Sequence, residues 1–122
     1  MLFRSDSIIY SFTPHMHMRG SWMKYEAQYP DGRTETLLSV PRFDFNWQTS
    51  YRLAQPLRVP QGTKIVCRGA FDNSTKNPNN PDPTKTVRWG AQSWDEMFIG
   101  YIGYAEAPAE PEAATVTSAK AP

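Results

Sequence analysis

The chain holds two histidines, His15 and His17, with one residue between them. In an extended strand, residues i and i+2 share a face, about 6.6 Å apart at a rise of about 3.3 Å per residue. Metal–nitrogen bonds of about 2.0 Å let two imidazoles converge across that gap on one ion. Met16 and Met18 then point the other way and are poor ligands for the same ion. A bare His-x-His pattern is weak, because strand histidines are commonly surface groups or internally satisfied ones. Two histidines also leave a site incomplete. Cys67 sits mid-strand among apolar neighbours, where a buried structural thiol is the better reading. Asp95, Glu96 and Met97 remain: a thioether selects a soft ion such as Cu(I), whereas carboxylates select zinc or iron. Composition does not decide between them.

Positioning such a pair requires strands, and the chain shows a period of two rather than 3.6. Ser7-Ile8-Ile9-Tyr10-Ser11-Phe12 reads as a strand running into Thr13-Pro14. Ser21 to Tyr29 alternates large apolar and polar residues. Pro30-Asp31-Gly32 is a turn in which Pro pre-sets φ and Gly supplies a positive φ, and Arg33 to Val40 completes the hairpin. Tyr51 to Ala54 is a further strand, and a second turn, Pro60-Gln61-Gly62, leads into Thr63 to Phe71. Asp72 to Thr86 is a polar run rich in Asn and Pro, of a length that marks a functional or mobile loop. Met97 to Tyr104 is the last strand. About eight short strands with Pro/Gly turns and no convincing helix predict an all-β, antiparallel β-sandwich or barrel.

At 122 residues and 13.9 kDa the chain suffices for one domain. Residues 107–122, rich in Ala, Pro, Glu and Thr, cannot bury enough apolar area to offset the entropy of ordering. They are expected to form a disordered tail, leaving 1–106 as the domain. Thirteen Lys and Arg against 12 Asp and Glu give a net charge of +1, which argues against a nucleic-acid partner. No apolar run approaches the roughly 20 residues of a membrane-spanning helix. A lone cysteine forbids an intramolecular disulfide, and with two histidines it excludes a zinc finger. Met1 to Tyr10 lacks the basic and apolar regions of a signal peptide, so the chain is either cytoplasmic or part of a longer protein.

His15-Met16-His17-Met18-Arg19-Gly20, with Trp94-Asp95-Glu96-Met97-Phe98-Ile99-Gly100-Tyr101 far downstream, resembles one known pattern. It is that of the C-terminal domain of copper type II, ascorbate-dependent monooxygenases, the family of peptidylglycine α-hydroxylating and dopamine β-monooxygenases. The resemblance runs from Phe12 to Tyr104 and takes in Val59-Pro60-Gln61-Gly62 and the Cys67 strand. The two motifs together are specific where either alone is not. The resemblance implies a jelly-roll-like sandwich carrying one copper ion, with His15, His17 and Met97 at the ligand positions and one position open. It also implies O₂ and an unidentified small-molecule substrate as partners, with electrons from an upstream domain or protein. The weak thioether bond favours Cu(I).

Departures from the family pattern are equally informative. In the animal enzymes the cysteine at the Cys67 position pairs with one directly after the ligand methionine. Here that place is Phe98, so the cross-link is absent. The positions that hold the substrate carboxylate fall on Thr13, Ile99 and Tyr101, and Tyr101 alone keeps the family residue. Tyr101 is therefore the candidate substrate contact, and a C-terminal glycine peptide is not the expected substrate. The family's second copper, held by three histidines of a preceding domain, has no counterpart here. Phe71-Asp72-Asn73-Ser74, Asn77 to Pro81 and Arg88-Trp89-Gly90 resemble a bacterial branch in which this domain ends larger envelope or exported proteins. That implies a periplasmic or exported location within a longer bacterial protein. The Asn/Pro loop is a candidate cover for copper, although such residues build turns without that role. Asp95 and Glu96 are candidates for orienting a ligand or are ordinary surface carboxylates.

Three functions compete. The first is an oxidoreductase domain whose single copper serves C–H hydroxylation with O₂. The second is a copper-binding or sensing module without turnover, for which Met16, Met18 and Met23 speak, though Met is commonly core filler. The third, a carbohydrate- or protein-binding sandwich, rests on Trp22, Trp47, Trp89 and Trp94 and ranks last, because core packing explains most aromatics.

Overall fold

Strands form where the period of two is strongest. They are β1 (Ser7–Met16), β2 (Gly20–Gln28), β3 (Thr34–Val40), β4 (Tyr51–Val59), β5 (Lys64–Phe71) and β6 (Phe98–Glu106). The computed structural model describes residues 1–108, so the expected tail lies, from residue 109 onward, outside the described residues. Two antiparallel three-stranded sheets result, ordered β4-β1-β6 and β3-β2-β5, and no helix occurs among the described residues. The sandwich expectation holds. The strand number is corrected to six from about eight.

Two physical features keep the count at six. β4 runs on through Pro56 to Val59 as one strand, which its place at a sheet edge permits because Pro has no N–H to give to a ladder. Residues 72–97 contribute no strand, only an isolated bridge between Trp89 and Glu96. There Asp72, Asn77, Asn80 and Asp82 each accept, on a side-chain oxygen, the backbone N–H two residues on. Such turns satisfy the backbone locally and compete with ladder formation.

The sheets meet through Phe12 of β1 and Tyr25 of β2, with ring centroids 4.6 Å apart. Ile9, Met16, Met23, Ala27, Val59 and Ile65 are buried around them. Cys67 is a free thiol on the inner side of β5, facing Gly100 of β6, where any Cβ would collide with its sulfur. Burial pushes the Cys67 thiol pKa up. Phe98 lies over Gly69 of the opposite sheet, where a Cβ would sit 2.6 Å from the ring. An aromatic contact thus joins the two sheets at Phe98. Gly32 and Gly62 close the two Pro-x-Gly turns at φ of 91° and 90°.

Two features of β1 set up the site. Its register against β6 shifts between Ile9 and Ser11, so Tyr10 is an extra residue. Beyond that bulge Phe12, Pro14 and Met16 are buried, while Thr13 and His15 fall on the outer face. The ladder with β4 then ends at Phe12–Tyr51, one pair short of the N–H that Pro14 lacks. Pairing with β6 continues through Pro14–Gly100, His15–Ile99 and Met16–Phe98. The freed flank of β1 is met instead by side chains from residues 41–50.

Candidate metal centre

The outer strip of β1 and β6 gathers the residues singled out in the sequence. Thr13 pairs with Tyr101 and His15 with Ile99, and directly opposed residues share a face. Just past β1, the His17 N–H donates to the Met97 carbonyl at 3.3 Å, which sets Met97 across from His17. The imidazoles of His15 and His17 lie 5.3 Å apart between centroids and perpendicular to each other. His17 is 5% exposed and His15 is half-buried. Tyr101 is exposed, with its ring 6.4 Å from that of His15.

Both imidazoles are oriented by carbonyl-type oxygens. His15 Nδ1 lies 2.6 Å from Gln48 Oε1, and His17 Nδ1 lies 3.2 Å from the Asp95 carbonyl. The Gln48 amide nitrogen donates to the Phe45 carbonyl at 3.0 Å, which fixes its oxygen toward His15. Such oxygens only accept, so in each neutral ring Nδ1 carries the proton and Nε2 keeps a free lone pair. That is the state in which histidine ligates a metal, its second nitrogen donating to an outer partner. Phe45 stands perpendicular to His17 at 6.2 Å. Residues 41–50 thus orient one histidine and wall the other.

Arg19 follows the pair and is 2% exposed. Its Nε donates to Asn73 Oδ1 and Asn80 Oδ1 at 3.1 and 3.0 Å, and Nη2 donates to the Asp82 carbonyl at 3.3 Å. Nη1 donates to the Trp94 carbonyl. One buried guanidinium therefore ties the Asn/Pro loop to the end of β1, since a buried charge must find every available oxygen. The Trp94 carbonyl it holds precedes the Asp95 carbonyl that orients His17. The Asp95 carboxylate is engaged elsewhere, accepting from the Gln92 N–H at 3.1 Å. Glu96 acts through its backbone, which bonds with Arg88 and Gly90. Among the described residues no three of His, Cys, Asp and Glu come together as a metal set. Completion of the pair by carboxylates, left open by composition, gains no support. Met16 and Met23 are core side chains.

Residues 2–120 match the copper type II ascorbate-dependent monooxygenase, C-terminal domain. The chain belongs to this family. No curated protein matches it. Copper is the cofactor of this monooxygenase family, whose activity uses O₂ and a substrate. No helix among the described residues of this copper-monooxygenase domain is long and apolar enough to cross a membrane. The donor chemistry fits copper: two oriented imidazoles stand beside a thioether residue, with no gathered carboxylates among the described residues.

Proposed function

We propose that this domain holds one copper ion through His15 Nε2, His17 Nε2 and the Met97 thioether, in the service of C–H hydroxylation with O₂. The observation that carries this reading is the commitment of both Nδ1 atoms to carbonyl oxygens, beside a backbone bond linking His17 to Met97. Copper bound there supplies one-electron redox chemistry toward O₂. Gln48 and the Asp95 carbonyl aim the two rings and hold the tautomer of each, and Phe45 limits water at His17. Tyr101, exposed beside His15, is the substrate contact. Hydroxylation consumes two electrons, and one copper with one thiol cannot store them, so the second comes from a partner domain or protein. The setting proposed is periplasmic or exported, within a longer bacterial protein. Thr13 and Ile99 favour a second reading, a copper-holding module without turnover, because neither side chain can anchor a substrate carboxylate as a cation would.

Copper titration of the apo chain under reducing conditions tests the site. One equivalent of Cu(I) is expected, lost in His15→Ala/His17→Ala, with Met97→His moving preference toward Cu(II) or zinc. Unchanged uptake in the double variant overturns the assignment. Incubation with ascorbate, copper and O₂ should give uncoupled peroxide. One product per O₂ from this chain alone would overturn the need for a partner.

A further inference from the structure

A cavity of about 420 Å³ opens between Arg19 and residues 81–95, a size suited to a small organic ligand. The apolar residues that line it are Trp94, Val87 and Pro81. Arg19, Lys85 and Arg88 line it against the carboxylates of Asp82 and Asp95, leaving a single positive charge in excess. Both carboxylates are committed to their own turns. Asp82 accepts from the Thr84 N–H and hydroxyl at 2.9 and 2.6 Å, and Asp95 accepts from Gln92. Among the described residues neither the Lys85 ammonium nor the Arg88 guanidinium makes a side-chain hydrogen bond, and Lys85 lies near enough to Asp82 to help hold its carboxyl pKa down. Two exposed cations thus line the cavity together with Trp94.

The walls are also tied in place. Arg19 holds the Trp94 and Asp82 carbonyls, Asn73 Nδ2 donates to the Lys85 carbonyl at 2.8 Å, and the Glu96 N–H donates to the Arg88 carbonyl at 3.0 Å. A cavity fixed in this way loses little further freedom when it is filled. We propose that it binds a small aromatic carboxylate, with the ring against Trp94 and the carboxylate toward Lys85 and Arg88. The single excess charge suits a monoanion rather than a phosphate dianion, and the apolar walls suit a ring rather than an inorganic ion. None of the cations is a proposed copper ligand, so the site is tested without metal.

Benzoate titrated into the copper-free chain by calorimetry, with benzyl alcohol as its neutral counterpart, is the experiment. Benzoate should bind at one equivalent and at least about tenfold more tightly than the alcohol. Arg88→Gln and Lys85→Gln, both at exposed positions, should each weaken benzoate by about threefold and leave the alcohol unchanged. Trp94→Leu should weaken both ligands. Equal affinity for benzoate and benzyl alcohol, or benzoate binding unaffected by both cation variants, overturns the proposal. So does tighter binding of inorganic phosphate than of benzoate, which would make the cavity a phosphate site.

Discussion

The two faces of β1 are a few ångströms apart and obey different physics. Inward, Ile9, Phe12 and Met16 are wholly buried against the opposite sheet. Their attraction is non-directional and accepts any partner of the right volume. Outward, each polar group meets one particular oxygen: Thr13 the Ser50 hydroxyl at 2.7 Å, His15 the Gln48 amide, and His17, just beyond, the Asp95 carbonyl. Those contacts are directional, and each fixes where a lone pair points. The inner face decides whether the domain folds. The outer face decides what it can hold once folded.

Substitutions that separate the faces give the largest effects. Phe12→Ala removes a ring packed on Tyr25 and should cost about 3–5 kcal/mol in urea unfolding, while the folded fraction still takes up copper. If His15→Ala cost as much, the separation would be wrong. Copper removal comes next. At 100 to 1,000 times its Kd a ligand stabilises by about 2.7–4.1 kcal/mol, so chelation should lower Tm. The circular-dichroism β signal should persist, because the core closes without metal. Its complete loss would mean that the outer face carries the fold.

Arg19→Met leaves its oxygen partners without their donor and should cost about 1–3 kcal/mol. Trypsin should then cut at Lys76 and Lys85 sooner, with β1 and β6 amides still protected from exchange. Unchanged cleavage would show that the guanidinium does not hold the loop. The smallest effect concerns Cys67. Its raised pKa leaves less thiolate at any given pH, so iodoacetamide should react more slowly than with a peptide thiol at pH 8 to 9. Alkylation at the peptide rate would show that the inner face opens readily.

What could be read from the sequence was local in origin. The period of two and the two Pro-x-Gly turns act over a few residues, and they located the strands and hairpins. The strand expected over Tyr51 to Ala54 runs on through Pro56 to Val59, because proline is harmless at an edge, and edge position is a property of the sheet. The His-x-His pair was legible from strand geometry, and the resemblance brought in Met97, which the β1–β6 register sets across from His17. Gln48 was not legible: it lies 33 residues from His15 and reaches it only because the β4 ladder stops short. Arg19 reads as a surface cation among Met18 and Gly20, and its acceptors lie 54 to 75 residues away. Asp95 was considered for its carboxylate and contributes its carbonyl, a group that every residue carries and no residue type advertises.

The extra residue at Tyr10 has one more consequence, which concerns counting. Side chains alternate across a regular strand, so Ile9 and Phe12, three residues apart, would face opposite sides if the ladder were unbroken. The bulge takes up the odd residue: Ile9, Ser11 and Phe12 stay in step with Tyr104, Gly103 and Ile102 of β6, and Ile9 and Phe12 both face the core. Tyr10 is itself 42% exposed, and little depends on which side chain stands there. Deleting it would leave Ile9, Ser11 and Phe12 alternating in-out-in against the same β6 partners, so the position is as spare as the side chain.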